Sequence, residues 1–154
     1  MKKIILACAA LAAFVFSLGG CSRKASGKSI AVFVPGIIDD SPTYEKLARG
    51  VTKAVEDFNQ TAGESEKINL FVMEAGTNQA EWGAKITALA AEQKYDVIIS
   101  SNPSLPDLVE PIIQQFPNQK FILLDATREG NQNIYTVCYD QSQQGFLAGY
   151  IGGL

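Results

Sequence analysis

Cysteine chemistry gives the most specific signal in this sequence, because one cysteine closes a short apolar leader. The segment Leu18-Gly19-Gly20-Cys21 has the form of a lipobox, in which small residues let a peptidase reach the bond before the cysteine. Ahead of it, a basic start at Met1-Lys2-Lys3 precedes an uncharged apolar run from Ile4 to Leu18. These features are typical of a secretory signal, and the run is shorter than the ~20 apolar residues that span a membrane. We therefore predict a signal peptide over residues 1–20.

Lipidation of Cys21 would anchor the mature chain to a membrane. The thiol would carry a diacylglycerol, and the freed amine a further acyl chain such as palmitate. Each buried methylene contributes ~0.8 kcal/mol and one chain alone holds weakly, so several chains give lasting attachment. Residues 21–28 are mostly small and polar and would form the lipidated tether. The pattern predicts a lipoprotein of the cell envelope, facing the periplasm or the exterior; an ordinary signal peptide with an incidental cysteine is the alternative.

A second set of side chains could hold a small polar ligand. Its members follow apolar runs that predict strands, and they are Asp40, Ser41, Tyr44, Ser101, Asn102 and Asp125. Carboxylates, hydroxyls and an amide would hydrogen-bond the ligand, and the ring of Tyr44 would stack on a flat one. Each also has a structural alternative. These are helix capping for Asp40 and Ser41, loop contacts for Ser101 and Asn102, a surface turn for Asp125, and packing for Tyr44.

Catalytic and cofactor motifs are missing from this sequence. Histidine is absent, which excludes Ser-His-Asp and Cys-His arrangements and the common zinc sites. The loop from Val34 to Ser41 has one glycine where a dinucleotide fingerprint needs three, and it lacks a phosphate-loop lysine. No spacing predicts a metal or a cofactor, so we expect a binding protein and not an enzyme.

The charge balance argues against nucleic acid as a partner. The chain has 13 basic and 16 acidic residues, and loss of Lys2 and Lys3 with the signal would leave a net charge of −5. A mildly acidic surface without a basic cluster does not attract a phosphate backbone. With Cys21 lipidated and Cys8 in the leader, Cys138 would be the remaining cysteine, and we expect it to be a small buried hydrophobe.

The elements that position these side chains alternate along the chain. Apolar, β-branched runs predict five buried strands, at residues 29–34, 68–73, 96–100, 120–125 and 134–139. Helical spacing of apolar residues predicts helices from Tyr44 to Phe58, after a cap at Asn78, from Leu105 to Phe116, and from Gln143 onward. In the third of these, Pro111 should kink or shorten the helix.

This alternation predicts an α/β fold, a doubly wound parallel sheet of about five strands with helices on both faces. Ligands of such sheets bind outside the carboxyl ends of the strands, near the switch in strand order. The candidate ligand-binding residues follow strand ends, so the fold would bring them to one edge of the sheet.

Five short segments follow one another in this order along the chain: Pro35-Gly36, Asp40 to Tyr44, Asp96 to Ser100, Phe116 to Asp125, and Gln144 to Tyr150. This order resembles the basic membrane protein family of lipoproteins, which includes purine nucleoside receptors of spirochaetes. The resemblance covers nearly all of residues 29–154 and implies the Rossmann-like N-terminal lobe of a type I periplasmic binding protein. It implies an ABC importer component that captures a nucleoside for a permease, with Asp40, Ser101 and Asp125 best matching the family's ligand contacts.

The chain departs from that family in two respects. Where the family has a Gly-rich loop and a Ser-Phe-Asn step, this chain has residues 37–44, so Tyr44 would replace the stacking aromatic. The resemblance also covers one lobe of two, and we expect a chain truncated within a helix that lacks the second lobe. Two other hypotheses stay open: the same fold binding a sugar or another small polar solute, and a surface lipoprotein binding a macromolecular partner.

Overall fold

Five parallel strands form one sheet in the computed structural model, which describes residues 27–153. The strands are β1 (Ser29–Val34), β2 (Asn69–Glu74), β3 (Val97–Ser101), β4 (Lys120–Leu124) and β5 (Ile134–Val137). Their order across the sheet is β2-β1-β3-β4-β5. The predicted doubly wound sheet is confirmed. The predicted signal peptide, Cys21 and nearly all of the predicted tether lie outside the described residues.

The central strand β1 is buried because its side chains alternate between two cores. Ala31 and Phe33 face one core and Val32 and Val34 the other, and all four are fully buried. A strand covered on both faces has no polar face, which accounts for its continuous apolar run.

The described part of the chain has four helices: α1 (Pro42–Thr61), α2 (Gln79–Ala91), α3 (Leu105–Gln115) and α4 (Ser142–Gly152). Helices α2 and α3 pack on one face, where Trp82, Ile86, Val109 and Ile112 are buried in the larger core. Helix α1 packs on the opposite face through Leu47. Two of the predicted details hold: Asn78 caps α2, and Trp82 is a core residue.

Pro111 lies inside α3 on its exposed side, and the helix continues for four more residues, so the proline does not end it. One detail near the end of a strand differs from expectation. The expectation that Cys138 is buried is wrong: β5 ends at Val137, and Cys138 is exposed beyond the sheet. Once the strand ends, no neighbouring strand or helix covers the next side chain.

The last helix, α4, is the least covered element. It has no buried residue, and Phe146, Leu147, Tyr150 and Ile151 are all more than half exposed. One face of the sheet is also incompletely covered. Helix α1 packs on this face over β1, β2 and β3, whereas the side chain of Tyr135 on β5 is 67% exposed on the same face. From residue 27 to residue 153, no helix combines the length and apolar content needed to cross a membrane.

Candidate functional site

Because all five strands are parallel, the loops that follow them gather at one edge of the sheet. We call this the carboxyl edge, and it carries loops 35–41, 75–78, 102–104 and 138–141 and the beginning of loop 125–133, which then returns to the opposite edge to start β5. The chain passes from β1 to β2 on one side and then returns to place β3 on the other side. The strand order therefore reverses between β1 and β3, which is where parallel sheets of this kind open a ligand crevice.

The loop after β1 carries the predicted residues Asp40 and Ser41. Asp40 is exposed and Ser41 half-buried, and neither side chain hydrogen-bonds any described residue. Ser41 occupies the N-cap position of α1, where its backbone carbonyl accepts from the Glu45 amide at 2.9 Å and its side chain makes no capping bond. The capping alternative therefore does not describe these two side chains, and both keep their hydrogen-bonding capacity.

Tyr44 has the packing role that was its structural alternative. Its ring lies against Gly36, so closely that a Cβ on Gly36 would sit 2.5 Å from Cε2 of Tyr44. The ring is half-buried and joins the α1-side core beside Val32, Val34 and Leu47. Any ligand that stacked on this residue would use the part of the ring that packing leaves exposed.

At the end of β3, two adjacent serines have different roles. Ser100 is fully buried and donates its hydroxyl to the carbonyl of Phe33 on β1, which ties the two central strands together. Ser101 is only 6% exposed, yet its hydroxyl has no hydrogen-bond partner among residues 27–153. The Ser101 Oγ is not fully enclosed, so water or a ligand can reach it and complete its hydrogen bonds.

Asn102 shapes the loop that follows. Its Oδ1 accepts from the backbone amide of Ser104 at 2.9 Å and from the Ser104 hydroxyl at 2.7 Å. This contact matches the predicted loop alternative and leaves the Asn102 side-chain amide group, a donor, without a partner in the described chain.

Asp125 directly follows β4 and has an unusual backbone conformation. Its φ of 54° lies in the left-handed region, which L side chains adopt rarely. Such outliers are found preferentially at functional sites. The residue is half-buried, and its carboxylate has no hydrogen-bond partner in the part of the chain that is described. Because Ser101 pairs in register with Leu124, Asp125 lies next to the end of β3.

The loop after Asp125 is held by an arginine. Arg128 forms ion pairs with Glu110 and with Asp107, the latter at 3.5 Å, and both acids lie on α3. Its backbone carbonyl accepts from the Thr136 hydroxyl at 3.4 Å. The positive charge nearest Asp125 along the chain is thus already paired, so the carboxyl edge presents mainly acceptors.

The start of α4 adds one more ordered carboxylate to this edge. Asp140 accepts hydrogen bonds from the hydroxyl and the backbone amide of Ser142, the latter at 3.0 Å. These bonds lower the pKa of the Asp140 carboxyl below its ordinary value.

One residue at this edge was not predicted from the sequence. Glu74, the last residue of β2, accepts from the backbone amide of Ile38 at 2.6 Å and so contacts the loop that carries Asp40. The available signal was an acidic residue at the end of an otherwise apolar run. Nothing in the sequence shows that residues 36 positions apart meet.

The arrangement offers groups that can bind a ligand. Asp40, Ser101 and Asp125 place acceptor groups on the loops and strand ends around the switch point. In the described ranges, no three His, Cys, Asp or Glu side chains are grouped so that they could hold a metal ion. A small polar ligand with hydrogen-bond donors is the occupant that these groups fit.

Known proteins resemble this chain in sequence and in fold. A family model described as ABC transporter substrate-binding protein PnrA-like matches residues 27–154. The chain is 26% identical over 173 aligned positions to the CD4+ T-cell-stimulating antigen of Listeria innocua serovar 6a, covering all of this chain and 46% of that protein. It therefore spans about half the length of this curated relative.

Two solved structures are similar in fold. An ABC transporter solute-binding protein from Aeropyrum pernix K1 has a TM-score of 0.67 and 21% identity, over 80% of this chain and 32% of that one. A 5-methylthioribose transporter solute-binding protein from Thermotoga lettingae TMO, solved with 5-methylthioribose, has a TM-score of 0.57 and 15% identity, over 80% and 38%. At these identities, the likeness shows the fold alone.

Proposed function

Since this chain belongs to the family of PnrA-like ABC transporter substrate-binding proteins, we propose that it captures a nucleoside and delivers it to an ABC permease. In this proposal the chain supplies one wall of the ligand site, because it spans 46% of its curated relative. The ligand is bound and released without covalent change.

The observation that carries the proposal is a set of unpaired acceptors at the switch point. Ser101 is 6% exposed, and its hydroxyl is open to solvent and has no partner among residues 27–153. Asp125 holds its carboxylate in a left-handed turn beside it. Asp40 contributes a second carboxylate from the loop after β1. These groups would accept hydrogen bonds from ribose hydroxyls and from the donors on the edge of a base.

A sugar without a base is the second candidate ligand, and Tyr44 is the reason to keep it. The ring of Tyr44 is half-buried against Gly36 and the α1-side core, so less of it remains for stacking on a base. Carboxylates around hydroxyl groups suit a sugar equally well. The two candidates share the ribose hydroxyls and differ in what occupies the neighbouring space.

A thermal unfolding series with the purified chain separates these ligands. The protein is heated alone and with inosine, adenosine, ribose, galactose or leucine. At one hundred times its dissociation constant, a ligand adds ~2.7 kcal/mol, which moves the melting temperature by several degrees. We expect a shift with nucleosides that Asp125→Ala abolishes and the exposed Glu56→Ala does not.

The other outcomes are equally informative. A shift with ribose as large as that with inosine would make the sugar the ligand. Absence of any shift, in this chain and in any longer product of the same gene, would contradict capture of a small solute. The hypothesis of a macromolecular partner would then stand.

We also propose that the protein reaches its ligand as an envelope lipoprotein, anchored through Cys21 after removal of residues 1–20. The support is the lipobox at Leu18-Gly19-Gly20-Cys21 behind a short apolar leader. Cells grown with an alkyne-tagged palmitate should label the protein. Cys21→Ser should lose the label and leave the unprocessed precursor, whereas Cys138→Ser should keep the label. Equal labelling of the Cys21→Ser variant would contradict the anchor.

A further inference from the structure

We infer that Glu74 is a positioning residue of the ligand site, although it contacts no proposed ligand group itself. Its carboxylate would fix the loop after β1, so that Asp40 and Ser41 are presented in one conformation. The ligand part of this inference rests on the proposed function, whereas the effect on the loop does not.

The geometry joins the ends of β1 and β2 through three hydrogen bonds. Two come from the backbone, where the amide of Ala75 donates to the Val34 carbonyl at 2.8 Å and that of Gly76 to the Gly36 carbonyl at 3.0 Å. The third comes from a side chain: the amide of Ile38 donates to Oε1 of Glu74 at 2.6 Å. Of the three, only the bond to the Ile38 amide holds a loop residue beyond Gly36.

From Ile38, the constraint passes to the ligand-facing residues. The Ile38 amide is held by Glu74, and the Ile38 carbonyl accepts from the amide of Ser41 at 3.2 Å. The peptide from Ile38 to Ser41 is thus closed into a turn with one end fixed on β2, and Asp40 lies within that turn. Loss of the Glu74 carboxylate would release the amide of Ile38 and with it the turn.

The segment beside Glu74 is held in turn by α2. The Lys85 ammonium donates to the carbonyl of Ala75 at 2.7 Å, and the Trp82 indole donates to that of Gly76 at 2.7 Å. Gly76 has a φ of 74°, in the left-handed region that favours glycine. Ala75 and Gly76 therefore donate through their amides to carbonyls that follow β1 or end it, and their own carbonyls accept from α2. The segment beside the β1 loop is thus bonded on both sides.

Glu74 is exposed at the end of an edge strand, and its Oε1 accepts a charge-assisted hydrogen bond from a backbone amide. Such a bond is stronger than a neutral one. A glutamine keeps an acceptor oxygen at the same distance along the side chain, whereas an alanine removes it. These two substitutions therefore separate loss of the acceptor from loss of the charge.

The test measures hydrogen exchange of the backbone amides of residues 36–41 in the purified full chain by mass spectrometry. Glu74→Ala should speed exchange of the Ile38 amide by about tenfold, the factor expected for one lost hydrogen bond to a charged acceptor. Glu74→Gln should restore most of the protection, and the matched exposed Glu56→Ala should change nothing. Melting temperatures are recorded for each variant, so that a fall in global stability is distinguished from release of this loop.

The same variants are titrated with inosine and with ribose. An apparent dissociation constant raised about tenfold in Glu74→Ala and restored in Glu74→Gln supports the inference, by the same hydrogen-bond estimate. Unchanged exchange at Ile38, or faster exchange with unchanged affinity, would overturn it. If exchange rises while even the wild type binds neither probe, the loop constraint holds and the proposed ligand class fails.

Discussion

The ring of Tyr44 packs directly against Gly36, the second residue of the loop after β1. Gly36 is fully covered at the end of the central strand, and the ring of Tyr44 occupies the space that any larger residue would need. The glycine here serves close approach, since an added methyl group would have to displace a half-buried ring. In α1, by contrast, Gly50 has open space around the position of a Cβ.

We predict opposite effects for alanine at these two glycines. Gly36→Ala should lower the free energy of unfolding by about 1–3 kcal/mol, the usual cost of overpacking. Gly50→Ala should raise it by about 0.5–1 kcal/mol, because glycine weakens a helix interior. Urea unfolding followed by circular dichroism measures both. Equal destabilisation by the two substitutions would contradict the contact between Gly36 and Tyr44.

At this scale, the sequence located the strand-end residues but not their partners. Ser101 and Asp125 follow directly from where apolar runs stop. Whether the hydroxyl of Ser100 or of Ser101 finds a hydrogen-bond partner depends on which side of β3 each side chain faces. The hydroxyl of Ser100 bonds to a residue 67 positions away in the sequence. Glu74 was missed for the same reason, because its contact with Ile38 depends on the pairing of β1 with β2.

At the scale of elements, the start of α4 depends on a single carboxylate. The Asp140 carboxylate accepts hydrogen bonds from both the hydroxyl and the backbone amide of Ser142. These bonds lower the pKa of the Asp140 carboxyl below its ordinary value of 3.8. A lowered folded-state pKa means that the bonds support the helix above pH 3.8 and are lost as the pH falls through the lower value.

We therefore expect Asp140→Asn to affect α4 only while Asp140 is charged. Helix content measured by far-ultraviolet circular dichroism should be higher in the wild type than in Asp140→Asn at neutral pH. The difference should shrink as the pH falls below 3.8 and disappear once the pH is below the lowered pKa of Asp140. A difference that persists in acid would show that the carboxylate is not the group that starts this helix. The exposed Glu56→Gln, at a residue whose side chain has no hydrogen bond or ion pair in the described chain, is the control for a change of one charge elsewhere.

Element ends were where prediction from sequence was least exact. The N-cap of α2 at Asn78 was predicted and is present, with Oδ1 accepting from the amide of Ala80 at 3.3 Å. The predicted end of β5 was two residues too late. Cys138 and Tyr139 continue the apolar pattern of the strand, but the pairing of β5 with β4 stops at Val137. Pattern alone does not show where a partner strand stops.

The whole molecule is covered unevenly. Helices α2 and α3 close one face of the sheet, whereas on the other face α1 covers β1, β2 and β3 and leaves the side chain of Tyr135 exposed. Helix α4 projects four large apolar side chains without burying any. Both features fit a chain that spans about half the length of its curated relative. Alternation of elements predicted the fold class, but strand order and coverage depend on contacts between distant segments.

Limited proteolysis should reveal this unevenness. A helix with no buried residue opens at little cost, so we expect chymotrypsin to cut first at Phe146 or Tyr150. The fully covered Phe33 and Phe121 should be cleaved only on global unfolding. Mass spectrometry of a time course identifies the cuts. Simultaneous loss of all four sites would mean that α4 is as stable as the sheet.

Trp82 gives the molecule an optical reporter of its own. It is the only tryptophan in the chain, it is 4% exposed, and its indole donates to the carbonyl of Gly76. Indole emission shifts with the polarity and hydrogen bonding of the ring's surroundings. Fluorescence of the unlabelled protein thus reads out the segment beneath the first loop, and a colour change on adding a solute would report movement there in real time.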